Sequence, residues 1–334
     1  MPAKELKNEL SWSHSRMRTF EECKRQYYFH YYLKWNGWKT TADAERQTAY
    51  RLSKMTSFDL ETGNVVHDVI AEVLKKLRDT GIAETESSAT ERALNKWDQA
   101  RTESLTSAPS AQFNKSKRFL EDYYGYPECE ERSAGKREAI GSHLAGFYAS
   151  KTWEQIQGLK TDRWRAMDTD PFEAQMVYDI PMHGRPDLAL SSRGPKSIYR
   201  LFDWKTGRPR ESDTNQLGFY ALFAAKVWGC RPDAIVARLV YLKTPPHQVE
   251  VEVSEALING SFETLTDSYR QMNALLKDTS NNVPLPIEHF PQSVSHRTCP
   301  RCNFQELCFG SKWEKSNKQP ASMGEEVDDS FDSA

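Results

Sequence analysis

Two carboxylates and a lysine near the middle of the chain carry the first chemical signal. Asp187 ends a turn in HGRPDLAL, and Asp203 and Lys205 stand two residues apart in YRLFDWKTGR. Side chains two apart on a strand share a face, so Asp203 and Lys205 are predicted to lie side by side, while Trp204 points to the other face. Two carboxylates and a carbonyl suit Mg²⁺ or Mn²⁺, which can polarise a phosphoryl oxygen and generate hydroxide. A nearby lysine can orient the attacking water or offset charge in the transition state.

Three further residues complete a compound pattern around this motif. Gln216 and Tyr220 are four apart in TNQLGFYAL, which places them on one face of a predicted helix. His67 borders the apolar stripe of an upstream helix in GNVVHDVIAEVL. A lone D-x-K or a lone histidine is more often a solvated turn or an ordinary helix residue. Their order along the chain is what favours an active site.

Cysteines near the C-terminus form the second signal. Cys299, Cys302 and Cys308 have the spacing C-x₂-C-x₅-C, and three thiolates leave a tetrahedral site one ligand short. Cys23 is the natural fourth ligand, because the two remaining cysteines have no partner at ligand spacing. Spacing alone favours zinc, the commoner occupant of C-x₂-C sites, over an iron–sulfur cluster.

The ordered motifs G-x-x-D, D-x-K-T-G and Q-x-x-x-Y resemble the RecB-like branch of the PD-(D/E)XK nuclease superfamily, over about residues 11–78 and 172–310. In that branch a histidine on an upstream helix joins the metal shell. The resemblance implies the metal ligands His67, Asp187, Asp203 and the carbonyl of Trp204, the catalytic Lys205, and Gln216 and Tyr220, which help to place the DNA strand. A less specific match to an acidic position of the family is Glu173, which opens the first predicted strand.

The cysteine spacing is also similar to that of iron–sulfur nucleases of this branch: the AddAB-type nuclease domain, CRISPR-adaptation nucleases and exonuclease V. They carry one cysteine before the nuclease core and three after it. This resemblance implies a [4Fe–4S] cluster on Cys23, Cys299, Cys302 and Cys308, with zinc as the alternative. Such a cluster would connect the two ends of the domain and so close a loop of nearly its whole length. We expect its role to be structural.

The elements that must position these residues follow from the apolar periodicity. Strands are predicted at 172–181, 185–190, 198–205, 234–243 and 248–253, and helices at 63–78, 214–229 and 254–277, with an earlier helix capped by Ser15. This order indicates an α/β fold, in which a restriction-endonuclease-like mixed sheet is flanked by helices and a four-cysteine cluster joins the N- and C-terminal segments. Four parts are predicted: an N-terminal helical segment (1–78), a helical insertion (79–165), the nuclease core with the three-cysteine segment (166–310) and a disordered acidic tail (311–334).

The composition restricts the class of protein. The chain has 334 residues and a formal net charge of −2, which excludes a strongly basic DNA-coating protein but not a local basic groove. It has no run of about 18 apolar residues and no signal peptide, which indicates a cytoplasmic protein without a membrane partner, nucleoid-associated if bacterial. In that reducing compartment the six cysteines are expected to bind metal or to be buried, not to form disulfides.

Candidate nucleic-acid contacts lie in two segments. From Ser11 to Trp38 the chain interleaves aromatic residues with cations, a pattern suited to single-stranded nucleic acid. The residues concerned are Arg16, Arg18, Lys24, Arg25, Tyr27, Tyr28, Tyr31, Tyr32 and Trp35, although Phe20, Tyr27 and Tyr31 are expected to pack against the core instead. In the insertion, Lys115, Lys117 and Arg118 are predicted to form an arch over a strand that passes to the metal.

Together these patterns predict a metal-dependent deoxyribonuclease, an exonuclease acting on single-stranded DNA or DNA ends in repair, recombination or processing. The sequence has no G-x-x-x-x-G-K-[ST] motif, so we expect a standalone nuclease or a subunit beside a separate helicase, recombination or CRISPR partner. One alternative is a non-catalytic DNA-binding or scaffold module of the same fold, which the intact Asp187, Asp203 and Lys205 disfavour. Another is a zinc-stabilised adaptor, which metal analysis would identify.

Overall fold

The computed structural model describes residues 7–106, 117–160, 163–167, 173–192 and 197–314. Strands in this part of the chain form three sheets, of five, three and two strands. The strands are β1 (Trp12–Ser13), β2 (Trp164–Met167), β3 (Gln175–Val177), β4 (Ile180–His183), β5 (Leu188–Ser191), β6 (Tyr199–Lys205), β7 (Ile235–Tyr241), β8 (His247–Glu252), β9 (Leu276–Asp278) and β10 (Val283–Pro284).

Helices flank the sheets. They are α1 (His14–Glu22), α2 (Lys24–Tyr28), α3 (Ala44–Leu52), α4 (Phe58–Thr80), α5 (Glu86–Thr106), α6 (Leu120–Tyr123), α7 (Cys129–Tyr148), α8 (Lys151–Gln157), α9 (Glu211–Val227), α10 (Glu255–Asn273) and α11 (Gln305–Phe309). A π-turn (Phe29–Leu33) continues α2, and 3₁₀ turns lie at Pro232–Ala234, Ile287–His289 and Cys299–Arg301. Among the described residues, none of these helices has both the length and the apolar character that a bilayer crossing requires.

The five-stranded sheet places β6 at its centre, in the order β2-β5-β6-β7-β8. β6 runs parallel to β7 and antiparallel to β5, and its ladder sets Asp203 opposite Leu239 and Lys205 opposite Tyr241. A central strand is buried on both faces, so it must be apolar except where chemistry requires otherwise. Asp203, only 2% exposed, is therefore an unusual residue for this position.

The two faces of this sheet pack into different cores. Leu201 belongs to the core that includes α1, α9 and α10, whereas Phe202 and Trp204 belong to the core that includes α4, α5 and α7. The predicted alternation along β6 is thus confirmed, with Asp203 on the opposite face from its two aromatic neighbours. The predicted fold class is also confirmed: a mixed sheet flanked by helices, as in restriction endonucleases. The four-part division of the chain stays a prediction.

Helix α7 of the predicted insertion approaches the sheet very closely. A Cβ atom on Gly146 would stand 1.9 Å from the carbonyl oxygen of Leu242, just after β7, so only glycine allows this contact. Ile140, Leu144 and Phe147 of α7 are fully buried in the core that also contains Trp204. These residues hold the helix against β6 and the end of β7.

Two predicted helix starts are wrong. The first helix is capped by Ser13, whose side chain accepts a hydrogen bond from Arg16 N, and not by Ser15. The helix predicted from Gly63 begins five residues earlier, because Ser57 caps it through Leu60 N. Both errors have one cause: the apolar stripe marks the buried turns of a helix, while the cap lies outside that stripe.

Some predicted strand and helix limits are also wrong. The single strand at 172–181 is a hairpin of β3 and β4, turned at Tyr178 with a φ of 55°. The strand β2 was not predicted, and it pairs antiparallel with β5 at the sheet edge. The helix predicted to reach Lys277 ends at Asn273, and β9 follows. Lys115 and residues 315–334 of the predicted disordered tail lie outside the described residues. Trp313, which was predicted to belong to that tail, is buried, and its backbone N–H donates to Gln305 Oε1 at 2.8 Å.

Candidate active site

Asp187 joins helix α4 to the central strand. It immediately precedes β5, and its Oδ2 accepts a hydrogen bond of 2.7 Å from the backbone N–H of Trp204. Its Oδ1 lies 3.2 Å from Nδ1 of His67 on α4. The carboxylate is thus fixed on one side by the β6 backbone and on the other by an imidazole.

A chain of hydrogen bonds surrounds Asp203 on the face toward α9. Lys205 Nζ donates to Gln216 Oε1 at 2.7 Å and lies 2.6 Å from Asp203 Oδ2. Gln216 Nε2 donates to the hydroxyl of Tyr220 at 2.6 Å, and that hydroxyl donates to Asp203 Oδ1 at 3.2 Å. The predicted shared face of Gln216 and Tyr220 is therefore confirmed, and four side chains from β6 and α9 form one network.

The electrostatics of the site favour a bound cation. Burial and the negative charge of Asp187 raise the pKa of Asp203 to about 6, against the opposing effect of Lys205. For His67, burial opposes protonation, but the charge and hydrogen bond of Asp187 outweigh it and raise the pKa to about 9. Because the charge of Asp187 raises the pKa of the buried Asp203, positive charge between the two carboxylates would stabilise the site.

The donor atoms fit a hard divalent ion. Asp203 Oδ2 is buried and accepts no hydrogen bond of good geometry, although Lys205 Nζ stands close to it. Carboxylate oxygens, a backbone carbonyl and an imidazole are usual ligands for Mg²⁺ or Mn²⁺. Within the described ranges no group of three or more His, Cys, Asp or Glu side chains already has metal-binding spacing.

One residue near the site carried no recognised sequence signal. His14 at the start of α1 senses the charges of Lys205 and Asp213, and its pKa is lowered to about 4 by burial, by Arg18 and by Lys205. Nothing in the sequence relates His14 to Lys205, since the fold alone brings them together. Thr206 and Gly207, the last two residues of the D-x-K-T-G motif, line a groove beside the site.

The four predicted cysteine ligands come from three separate segments. Cys23 lies between α1 and α2, Cys299 opens a 3₁₀ turn, Cys302 ends that turn, and Cys308 lies in α11. Backbone N–H groups of Ser295 and Phe304 point at the sulfur atoms of Cys299 and Cys302, at 3.3 and 3.4 Å. Such N–H donors stabilise thiolate ligands.

The thiols influence one another electrostatically. Burial, and after it the charges of the other three cysteines, raise the pKa of Cys302 far above the usual range for a thiol. Burial and Cys23 likewise raise the pKa of Cys308 to about 12. Without positive charge the thiols stay protonated, and a metal would have to displace those protons. This chemistry fits a thiolate-ligated metal, but the described residues hold no preformed metal-binding group.

The N-terminal aromatic segment is mostly structural. Arg16 is 5% exposed and donates to the hydroxyl of Tyr27, itself fully buried, so its prediction as a nucleic-acid contact is wrong. Arg25 Nε donates to the carbonyl of Phe290, and Arg18 pairs with Glu22. The expected packing of Phe20 and Tyr27 into the core is confirmed.

The predicted arch of cations is also not formed as expected. Arg118 is buried, and Lys117 Nζ pairs with Glu61 Oε1 of α4 at 3.1 Å. Glu173 is exposed ahead of β3, and no contact within the described part of the chain joins it to the site. Basic residues of the insertion that do face the site region belong to α7 instead.

A family model matches nearly the whole chain. The model of the PD-(D/E)XK nuclease superfamily aligns with residues 11–309, which include every predicted site residue. No curated protein matches the sequence significantly. With a mixed sheet whose central strand ends in Asp203-x-Lys205 beside Asp187, the chain belongs to the PD-(D/E)XK nuclease superfamily, whose members generally use Mg²⁺ or Mn²⁺.

Proposed function

We propose that this protein is a metal-dependent deoxyribonuclease that degrades single-stranded DNA or DNA ends as an exonuclease. The observation that carries the proposal is the continuous network Lys205–Gln216–Tyr220–Asp203, next to the Asp187–His67 pair. A non-catalytic module would have no reason to keep a buried carboxylate and lysine on a central strand, where each charge costs desolvation energy.

The residues divide into two roles. Asp187, Asp203, His67 and the carbonyl of Trp204 would hold Mg²⁺ or Mn²⁺. The cation would supply Lewis acidity toward a phosphoryl oxygen and lower the pKa of a water molecule. Asp187 is oriented for this by Trp204 N–H, and Asp203 by the hydroxyl of Tyr220.

Lys205 would act on the reacting phosphate directly. Its side chain is 17% exposed, so it can reach a substrate while its ammonium group stays bonded to Gln216. In that position it can orient the attacking water and offset negative charge that develops on the phosphate. Gln216 and Tyr220 are positioning residues, because they hold Lys205 and Asp203 at the observed separation.

The same proposal extends to the cysteines. A [4Fe–4S] cluster on Cys23, Cys299, Cys302 and Cys308 is supported by the two N–H groups aimed at sulfur and by the family resemblance. Zinc is the alternative for the same ligands. Iron, sulfide and zinc analysis of anaerobically purified protein, with its visible spectrum, distinguishes them: about one zinc per chain without iron would contradict the cluster.

The test of the nuclease function compares four DNA substrates: linear single strand, circular single strand, linear duplex, and a linear single strand blocked at one end. With Mg²⁺ we expect mononucleotides or short products from linear single strands, and no cutting of the circle. Lys205→Ala should abolish product formation, whereas Lys243→Ala, an exposed lysine just after the neighbouring strand β7, should not. Equal rates for wild type and Lys205→Ala would contradict the enzyme, and cutting of the circle would contradict exonuclease action.

A further inference from the structure

A groove of about 680 Å³ opens directly beside the proposed active site. One wall is formed by Thr206 and Gly207, the two residues after Lys205, and by the first turns of α4. The opposite wall is formed by α7, and the far end by Pro300 and Arg301 in the 3₁₀ turn of the cysteine segment. The groove therefore leads from the catalytic strand, past the insertion, to the cysteine segment.

The groove is basic although the whole chain is slightly acidic. Five cationic and two acidic side chains line it, in a chain of formal net charge −2. Each acidic residue is matched by one cation: Asp59 Oδ1 lies 2.5 Å from Lys136 Nζ, and Glu121 Oε1 lies 3.5 Å from Arg132 Nη2. The three cations beyond these pairs are Arg208, Arg210 and Arg301.

The guanidinium groups of these three arginines have no acidic partner among the side chains that the structure describes, and all three residues are exposed, although the backbone N–H of Arg210 donates to Asp213 Oδ2. Arg208 and Arg210 lie on the loop that continues β6, while Arg301 projects from the far end of the groove. Unpaired guanidinium groups on two separate walls suit an extended ligand with repeated negative charge better than a single small anion.

Packing contacts and hydrogen bonds hold the walls of the groove in place. Arg132, Lys136 and His143 recur on one face of α7, and the contact of Gly146 with Leu242 fixes that helix on the sheet. At the far end, the hydroxyl of Tyr126 donates to the carbonyl of Pro300 at 3.0 Å. The ring Nδ1 of His143 is buried in the groove wall without a hydrogen-bond partner, so this wall retains an unsatisfied polar atom.

We infer that this groove binds the sugar–phosphate backbone of a nucleic-acid single strand beyond the point of cleavage, with Arg208, Arg210 and Arg301 as phosphate contacts. The inference rests on the proposed nuclease function, because it extends that site by a second binding region. Cations that neutralise phosphates release condensed counterions, so the groove should dominate the salt dependence of strand binding.

The experiment measures binding without cleavage. Fluorescence anisotropy of a labelled oligothymidine is recorded in EDTA over a range of salt concentrations, with the full chain and with the triple variant Arg208→Gln, Arg210→Gln, Arg301→Gln. On single strands each lost phosphate contact lowers the slope of log K against log salt by about 0.7, so we expect the triple variant to lose about 2 units. A matched variant, Arg231→Gln, Arg270→Gln, Lys277→Gln, removes the same charge from exposed positions away from the groove and should keep the wild-type slope.

The outcomes separate this inference from the proposed function. If the wild type cleaves DNA with Mg²⁺ but the two triple variants have equal salt slopes, the groove is not the strand path and the inference is overturned. If the wild type cleaves no DNA, the proposed function itself fails. Thermal unfolding of both variants shows whether they remain folded; if the groove variant does not, the single variant Arg301→Gln, at an exposed turn, should still lose about 0.7 of slope, and an unchanged slope there would overturn the inference.

Discussion

Asp203 lies on the central strand of a five-stranded sheet, whereas Cys302 lies between a three-residue 3₁₀ turn and a five-residue helix. The carboxylate site is built by backbone ladders on both sides of β6, and by a helix that packs across them. The cysteine site is built largely by side chains. The hydroxyls of Tyr123 and Tyr124 bond to Glu306 and to the carbonyl of Asn303, at 2.6 and 2.7 Å.

The difference concerns what each site needs in order to form. At the carboxylate site Lys205 and His67 already supply positive charge, so the sheet can fold before any cation binds. At the cysteine site burial raises the pKa of Cys302 and of Cys308, and the segment consists of only a short 3₁₀ turn and a five-residue helix instead of sheet ladders. We therefore expect the first site to matter for rate and the second for stability.

The largest expected effect is on catalysis. Lys205→Ala should lower kcat by about 10²- to 10⁴-fold, because the group that orients water and offsets charge is lost. Its Tm in Mg²⁺ should change little, because a bound cation can replace the positive charge that Lys205 supplies beside Asp203. Steady-state kinetics and calorimetry check both, with Lys243→Ala as control. A variant that unfolds instead would show that the carboxylate site also depends on its ions for folding.

The second effect is on stability. Cys302→Ser should cost about 3 kcal/mol, because it removes a proposed metal ligand, and loss of a bound metal is among the mechanisms that give large effects. That corresponds to a fall in Tm of about 6–12 °C for a domain of this size. Cys129→Ser is the matched control: the Cys129 thiol donates to the carbonyl of Tyr126 at 2.9 Å, a bond that a hydroxyl can keep. Equal Tm values for the two variants would contradict the expectation that the cysteine site matters for stability.

A third comparison lies within α7, which supports the carboxylate site from behind. Gly146→Ala should destabilise the protein by about 1–3 kcal/mol, since its Cβ would overlap the carbonyl of Leu242. Gly135→Ala, in open space on the same helix, should stabilise it by up to about 1 kcal/mol. Urea unfolding measures both, and effects of the same sign would contradict the close packing of α7.

The smallest effect concerns pH. Burial, aided by the charges of Lys34, Arg16 and Lys54, lowers the pKa of His30 to about 3, and its ring packs on Phe304 beside the cysteine segment. Because the unfolded histidine binds a proton below its ordinary pKa of 6.5 and the folded one does not, stability is fully present above pH 6.5 and is lost as pH falls toward 3.

Between pH 6.5 and 5.5 this single group accounts for about 1 kcal/mol of the loss. His30→Gln should reduce the slope of unfolding free energy against pH in that window, whatever its effect on absolute stability. Urea unfolding at several pH values provides the measurement. An unchanged slope would mean that His30 is protonated in the folded state.

Much of the fold followed from local pattern. The β6 alternation, the helix face of Gln216 and Tyr220, and the order of strands and helices depend on neighbours within a few residues, where periodicity is informative. The start of helix α4 was predicted five residues too late because its cap, Ser57, lies outside the apolar stripe. Strand β2 was missed because an edge strand of four residues is stabilised by its pairing with β5 and not by its own sequence.

The sequence by itself determined which residues could do the chemistry. Their types and spacing match what metal-dependent hydrolysis of a phosphodiester requires, which made five of them recognisable: Asp187, Asp203, Lys205, Gln216 and Tyr220. Only the tertiary structure decided which arginine and lysine side chains remain available to bind a ligand. Arg16 donates to Tyr27 and Lys117 pairs with Glu61. Arg208 and Arg301, which are far apart in sequence, both line one groove. Burial and pairing of a charge depend on contacts across the whole chain, and no local pattern records them.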